Sequence, residues 1–298
     1  MKLHAVACPI CKNLKYYKVL YRKNFTAADL NAKIFSARRI PDKIHYQIVK
    51  CHYCGLVRSS PVANAAILNN LYKKSKFTYE AELDNLNKSY LASLTTVLRR
   101  IRKKDHILEI GCGNGFLLSR LYKHGHKNVF GIEPSIDAVK KADRKIKRHI
   151  KVSLLKPGLF REGKFSLIFF FQTFDHVPNP NAFLKECYRL LKPGGYILSF
   201  NHDVDSLSSQ VLREKSPIID IEHTFLYSIQ TIKKIFWKNK YKVIKAYSPY
   251  NFVSLKHLIW LLPIPKSIKM FFINSRLSFL NATFKLKLGN LCLVAQKK

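Results

Sequence analysis

The sequence predicts an α/β chain: a doubly wound parallel sheet preceded by a small, zinc-ribbon-like cysteine module. Three observations carry this. Strand and helix patterns alternate from residue 106 to 200, as a parallel sheet covered on both faces requires. The run Leu167-Ile168-Phe169-Phe170-Phe171 is apolar throughout, which suits a central strand buried on both sides. Two CxxC pairs, Cys8-Pro-Ile-Cys11 and Cys51-His-Tyr-Cys54, fall within the first 60 residues.

The elements follow in chain order. A CxxC at a tight turn presents two thiolates to one ion, so Cys8, Cys11, Cys51 and Cys54 are expected to hold one structural Zn2+ in a module of residues 1–60. Gly55 stands where such a turn needs positive φ. Four thiolates leave no open coordination position, so this zinc staples rather than catalyses. Residues 61–105 read as bridging helices at 64–72 and 80–102; in the second, Leu83, Leu86, Tyr90, Leu94, Val97, Leu98 and Ile101 form one apolar stripe. The core spans 106–205, with strands at 106–110, 129–133, 150–154, 165–171 and 196–200. Its helices fall at 115–122, 135–146 and 182–191. Residues 206–298 form a C-terminal cap with a helix at 229–237, capped by Ser228, and strands at 241–247 and 290–296. Between those strands lies an apolar and basic insertion, 252–286.

Composition bounds the partners. With 47% hydrophobic residues the chain buries a real core, which excludes a disordered basic tail. Lys and Arg number 53 against 18 Asp and Glu, a formal charge of +35 that attracts polyanions or simply solvates the surface. The first residues lack a secretory apolar run, and the best apolar segment, 252–264, is broken by Lys256 and His257. A cytoplasmic location follows, in which the seven cysteines are not a disulfide framework and Cys112, Cys187 and Cys292 are ordinary.

The sharpest signal is Glu109-Ile110-Gly111-Cys112-Gly113-Asn114-Gly115, which follows a strand and opens a helix. Glycines there let the backbone turn and a ligand approach without a Cβ in the way. Phe116 stands where a dinucleotide fingerprint needs its last glycine, so the spacing is ExGxGxG. Eighteen residues after Gly115, Glu133 ends the next strand, where a carboxylate can accept from both hydroxyls of a ribose.

With these pieces, Phe165-Ser166-Leu167-Ile168, Gln172-Thr173-Phe174-Asp175-His176-Val177-Pro178-Asn179-Pro180 and Leu191-Lys192-Pro193-Gly194-Gly195, the sequence resembles class I S-adenosylmethionine-dependent methyltransferases over residues 106–200. The resemblance implies a Rossmann-like, seven-stranded methyltransferase sheet and S-adenosyl-L-methionine as cofactor. It places Glu109, Gly111, Gly113 and Gly115 along the methionyl and ribose portion, Glu133 on the ribose hydroxyls, and Phe171 and Gln172 beside the sulfonium. The segment Leu155-Lys156-Pro157-Gly158 lacks the acidic residue that often marks the adenine pocket.

Gln172-Thr173-Phe174-Asp175 stands where nucleobase amino-methyltransferases carry an (N/D/S)PP(Y/F) segment, which argues for a carbon or oxygen acceptor on a small molecule. With the cysteine module in front, the arrangement resembles zinc-binding methyltransferases of the sugar C-methyltransferase type, from which the stretch 252–286 departs. That likeness implies a positioning role for Tyr79 and catalysis by Glu222 and His223, a carboxylate beside an imidazole that serves as general base; His176 is the other candidate base. The insertion reads either as an active-site lid or as a helix in an anionic membrane interface, with a lipid-linked acceptor compatible with both and the enzyme then peripheral at the inner membrane face. A monomer or weak dimer is expected. The alternative function is a ribosomal RNA methyltransferase using the zinc module and the strip Lys140, Lys141, Arg144, Lys145, Lys147, Arg148 and Lys151; the absence of a base-stacking aromatic platform makes nucleic acid the weaker partner.

Overall fold

A computed structural model describes residues 3–26, 29, 43–73, 83–261, 264–275 and 277–298. Tyr79, expected to position substrate or cofactor, lies outside the described residues. The elements run β1 (Tyr17–Tyr21), β2 (Ile48–Cys51), β3 (Val57–Ser59), α1 (Ala65–Lys73), α2 (Leu83–Leu98), β4 (Ile107–Ile110), α3 (Phe116–Lys123), β5 (Val129–Glu133), α4 (Ile136–Lys140), α5 (Arg144–Lys147) and β6 (Ile150–Val152). There follow β7 (Phe165–Phe171), α6 (Pro180–Leu190), β8 (Leu191–His202), α7 (Leu207–Leu212), β9 (Phe225–Leu226), α8 (Ile229–Lys238), β10 (Tyr241–Tyr247), β11 (Asn251–Ser254), α9 (Leu255–Leu261), α10 (Lys266–Asn274), β12 (Thr283–Leu286) and β13 (Asn290–Lys297).

The main sheet has seven strands in the order β10-β13-β8-β7-β4-β5-β6. Strands β8, β7, β4, β5 and β6 are parallel, and β13 runs antiparallel between β8 and β10. This is the Rossmann-like architecture expected from the alternation. Every residue of β7 is buried, as its apolar run demands. Successive strands leave β4 on opposite sides, β5 on one and β7 on the other, so a crevice opens at the carboxyl end of β4.

Local chemistry sets several boundaries. The helix expected over 135–146 is two: Ser135 caps α4 by accepting from the Ala138 N–H, and Asp143 caps α5 by accepting from the Lys145 N–H. A second side-chain cap inside the run gives the backbone an alternative to continuous helix. Ser228 caps α8 in a reciprocal capping box with Thr231. In α2, Leu86, Tyr90, Leu94 and Val97 are buried at three-four spacing.

The N-terminal strands do not close a sheet by themselves. Their order is β1-β2-β3-β9, so the outer strand is Phe225–Leu226 from beyond the main sheet. The Ser59 N–H donates to the Thr224 carbonyl at 2.9 Å, and Ser59 Oγ donates to the His223 carbonyl at 2.8 Å. Cys8, Cys51, Cys54 and Leu56 share a core cluster with Phe174, Phe225, Tyr227 and Phe236. The module is thereby packed behind the loop that carries Glu222 and His223.

The insertion begins and ends as a hairpin, β11 against β12, with α9 and α10 between them. It rests on α2, where the Phe252 N–H donates to Ser89 Oγ at 2.8 Å.

Candidate functional site

The glycine loop leaves β4 at Ile110. Gly111, Gly113 and Gly115 all have positive φ, at 75°, 54° and 70°. A Cβ at Gly111 would run into the Thr173 side chain, and one at Gly115 would lie 2.9 Å from both Ile146 and Ile150. Glycine is thus required here by conformation and by space. Glu133 closes the loop from β5: its carboxylate accepts from the Gly113 N–H and from the Ser135 N–H, each at 2.8 Å. That grip holds the loop open toward the crevice and leaves lone pairs for a further donor.

Glu109 is 3% exposed, and its Oε2 has no hydrogen-bond partner among the described residues. Burial, with Glu133 nearby, holds its carboxyl well above the ordinary carboxylate range. Glu133 is shifted the same way by burial, against its two backbone donors. An unsatisfied buried carboxyl is costly unless a cationic or donating ligand meets it. Two acids at the end of a glycine loop therefore fit S-adenosylmethionine, whose amino-acid portion carries an ammonium and whose ribose carries two hydroxyls. Leu154, Leu155 and Lys156 line the same cavity where the adenine acid is missing.

Gln172, directly after β7, also has positive φ, 48°, and its Nε2 donates to Asn290 Oδ1 at 3.0 Å while its Oε1 is buried without a partner among the described residues. Phe171 stacks on Tyr90 with centroids 4.0 Å apart. Phe171 and Gln172 therefore face the cavity across from the glycine loop. The helix-stripe reading of Tyr90 missed that it lines this cavity as well.

Beyond Gln172 three imidazoles of the cavity wall cluster together. His176 and His223 have ring centroids 4.8 Å apart, and His202 and His223 5.0 Å. A carbonyl only accepts, so His176 Nδ1 donates to the Glu222 carbonyl at 3.1 Å and His223 Nδ1 donates to the Ile218 carbonyl at 2.7 Å. Burial, then His223, holds His176 down to about 3, so it is neutral at pH 7. The structure brings His176, Glu222 and His223 together in the wall of one cavity. His202 and Asp175 went unassigned in the sequence. Asp175 sits beside His176 in the quoted segment, but His202 only ends a long strand and had no signal.

Glu109, Gly111, Gly113, Glu133, Phe171, Gln172 and the three clustered imidazoles line one cavity of about 1580 Å³. A single small ligand occupies roughly 300–1,000 Å³, so the space accommodates a cofactor and an acceptor together. Val253, Leu258 and Ile259 of the insertion form part of its wall.

The four cysteine thiols converge separately, with Cys8 Sγ 3.3 Å from Cys54 Sγ and Cys11 Sγ 3.5 Å from Cys51 Sγ. The two knuckles are built alike. The Lys12 N–H donates to the Cys8 carbonyl at 2.8 Å and the Gly55 N–H to the Cys51 carbonyl at 3.0 Å. Both Lys12 and Gly55 have positive φ, 62° and 80°. The hydrogen bond between Cys8 and Cys54 draws the Cys8 thiol down to about 5 and pushes the Cys54 thiol up, as one proton shared by the pair requires. The donor set and its spacing fit a tetrahedral ion.

The methyltransferase domain family matches residues 81–246, more than half of the chain. The chain belongs to that family. This methyltransferase, dependent on S-adenosylmethionine, is 26% identical over 185 residues to a malonyl-[acyl-carrier protein] O-methyltransferase of Ilyobacter polytropus, covering 60% of this chain and 70% of that one. It is 33% identical over 98 residues to a ubiquinone biosynthesis O-methyltransferase of Coxiella burnetii, covering 31% of this chain and 42% of that one. The crystal structure of a putative methyltransferase from Bacillus halodurans superposes with a TM-score of 0.50 at 16% identity, covering 70% of this chain and 98% of that one. That last likeness concerns the fold alone.

Cofactor binding in this methyltransferase is expected to depend on pH through these two acids. Free carboxyls with raised values bind protons more tightly folded than unfolded, so stability of the free protein falls as pH rises from the ordinary value of 4.5 toward the raised one. The cofactor's ammonium pairs with the ionised form, so its affinity rises over the same window. Calorimetric titration with S-adenosylmethionine at stepped pH checks this. A shallower rise with pH in Glu109→Gln than in the natural chain is the expected result, since Glu133 still titrates.

Proposed function

We propose that this methyltransferase moves the methyl group of S-adenosylmethionine to a carbon or oxygen of a small metabolite, of sugar or lipid-linked type, with structural zinc in the Cys8, Cys11, Cys51 and Cys54 site. The observation that carries this is the single cavity: the glycine loop and Glu133 at one end, His176, His202, Glu222 and His223 at the other. The cofactor's sulfonium supplies the reactivity, and the chain aligns the acceptor and accepts its proton. Glu109, Gly111, Gly113, Gly115 and Glu133 hold the cofactor, with Phe171 and Gln172 near the methyl. His223 is oriented through Nδ1 by the Ile218 carbonyl and acts as the base; Glu222 shapes that end, and His176, held neutral by burial, packs against the His223 ring. Relatives named as a malonyl-[acyl-carrier protein] O-methyltransferase and a ubiquinone biosynthesis O-methyltransferase support an oxygen acceptor outside nucleic acid.

His223→Gln is expected to lower kcat by about 10²–10⁴-fold, the usual contribution of a general base, while cofactor affinity stays within a few-fold. Unchanged turnover rules the base out. A lipid-linked acceptor is favoured by Ile268, Met270, Phe271 and Phe279, which are exposed on the insertion near Lys269. No described helix is long and apolar enough to cross a membrane.

The RNA alternative loses ground to geometry. Lys140, Lys141, Arg144, Lys145, Lys147, Arg148 and Lys151 sit on α4, α5, β6 and their flanking residues, and none lines the cavity. Purified protein given radiolabelled-methyl S-adenosylmethionine and cell extract split into RNA, lipid and small-molecule fractions decides the class. Label confined to RNA overturns the proposal.

A further inference from the structure

Asp175, His202 and His223 each offer one ligand atom, and the three atoms lie within 4.8 Å of one another. We infer that this triad is a second metal site, distinct from the four cysteines, that takes a divalent first-row transition ion at the acceptor end of the cavity.

Two imidazoles and one carboxylate form a borderline donor set, which suits Fe2+, Co2+, Zn2+ or Mn2+ rather than Mg2+ or Ca2+. Three protein ligands leave coordination positions open, the mark of a site that meets a substrate rather than staples a fold. His202 and His223 both line the cavity, so those open positions face it.

The supporting shell is the stronger argument. Histidine ligands almost always donate their other ring N–H to a carbonyl or carboxylate, which fixes the tautomer and turns the remaining lone pair to the ion. His223 does so: Nδ1 donates to the Ile218 carbonyl at 2.7 Å. Ligating carboxylates are held in turn. Asn201 Nδ2 donates to Asp175 Oδ1, and the His202 N–H donates to Asp175 Oδ2 at 3.3 Å. Ser199 Oγ donates to Asn201 Oδ1, which fixes the amide so that its NH₂ points to Asp175. The Thr224 N–H donates to the Asp175 carbonyl at 2.9 Å and ties the two ligand-bearing loops together. Asp175, Ser199 and Asn201 are each at most 1% exposed, and His223 is 7% exposed. A chain of buried polar groups converging on three donors is costly to bury for solvation alone. Metal–nitrogen bonds of about 2.0–2.1 Å draw the donors closer together than they stand here.

The consequence rests on the methyl-transfer reading above. An ion at this place binds an acceptor oxygen, a hydroxyl or enol, and lowers its pKa, so that a hydroxyl loses its proton before its oxygen takes the methyl group from sulfur. With the ion bound, the free lone pair of His223 is a ligand rather than the base, and the hydroxyl's proton passes to solvent. The acceptor class narrows to compounds with an oxygen on or beside the methylated atom.

The test uses the full chain carrying zinc in its cysteine site, titrated with Co2+. One further equivalent is expected, absorbing as a nitrogen and oxygen site with no thiolate charge-transfer band. His202→Gln is expected to abolish it with unchanged melting of the zinc-loaded chain, and Asn201→Ala, which leaves the three ligands in place, to weaken it by about 10–100-fold. Co2+ that binds only by displacing zinc from the thiolates, or that binds the variants as well as the natural chain, overturns the inference. Calorimetry with S-adenosylmethionine on the same samples keeps the two readings apart: lost cofactor binding strikes the methyl-transfer reading and leaves the metal count standing.

Discussion

Glu133→Gln is expected to weaken S-adenosylmethionine binding at least a hundredfold while the protein melts cooperatively. The side chain keeps its size, so the effect is one of donors and acceptors. In the natural chain one carboxylate oxygen accepts from the Gly113 N–H and the other from the Ser135 N–H. An amide has only one acceptor oxygen. Whichever way it is turned, its NH₂ faces one of those two backbone donors, and the glycine loop is pushed off its position. The ribose hydroxyls lose their charged acceptor at the same time. Two charge-assisted hydrogen bonds are worth about 1.5–3 kcal/mol each, and about 1.4 kcal/mol is a factor of ten. Isothermal titration with the cofactor, beside a melting curve of the free variant, measures it. Binding within threefold of the natural chain removes Glu133 from the cofactor site.

The second large effect is expected from Cys54→Ser, which removes one thiolate and leaves the histidine cluster chemically intact. Structural zinc contributes roughly 10–16 kcal/mol of apparent binding free energy, comparable to the whole net stability of a domain, about 5–15 kcal/mol. Losing even about 5 kcal/mol lowers Tm by about 10 °C or more in a chain of this size. The damage has a direction. The knuckles are tied to α8 by Lys234 Nζ on the Cys54 carbonyl at 3.1 Å and by Lys238 Nζ on the Ile10 carbonyl at 2.8 Å. Strand β3 pairs β9 directly after His223 and Thr224. Turnover is therefore expected to fall far more than cofactor affinity, with faster amide exchange over residues 218–227. A variant with natural turnover and natural protection there separates the cysteine module from catalysis.

Much of the cofactor end was legible in the chain. Glycines at 111, 113 and 115 announce positive φ because other residues are strained there, and the structure has positive φ at all three. An apolar run such as Leu167–Phe171 announces burial on both faces, and β7 is buried throughout. The cysteine spacing announced two knuckles, although Lys12 takes the positive φ that Gly55 takes in the second without any glycine to signal it. The acceptor end was less legible. His202 ends a strand, Asp175 sits in a short turn, and His223 follows a loop, with 27 residues separating the first pair and no periodicity linking them.

Local patterning alone thus determined the parallel sheet, the glycine loop, its acidic partner and the paired cysteines. Each is written in residues close together in the chain, where propensity, spacing and backbone strain act. Only the tertiary structure decided that Phe225–Leu226 completes the cysteine module's sheet and that the insertion walls the cavity. It also decided that Asp175, His202 and His223 meet. Those are contacts between segments far apart in sequence, chosen by which faces bury best against each other, and no local pattern encodes that choice.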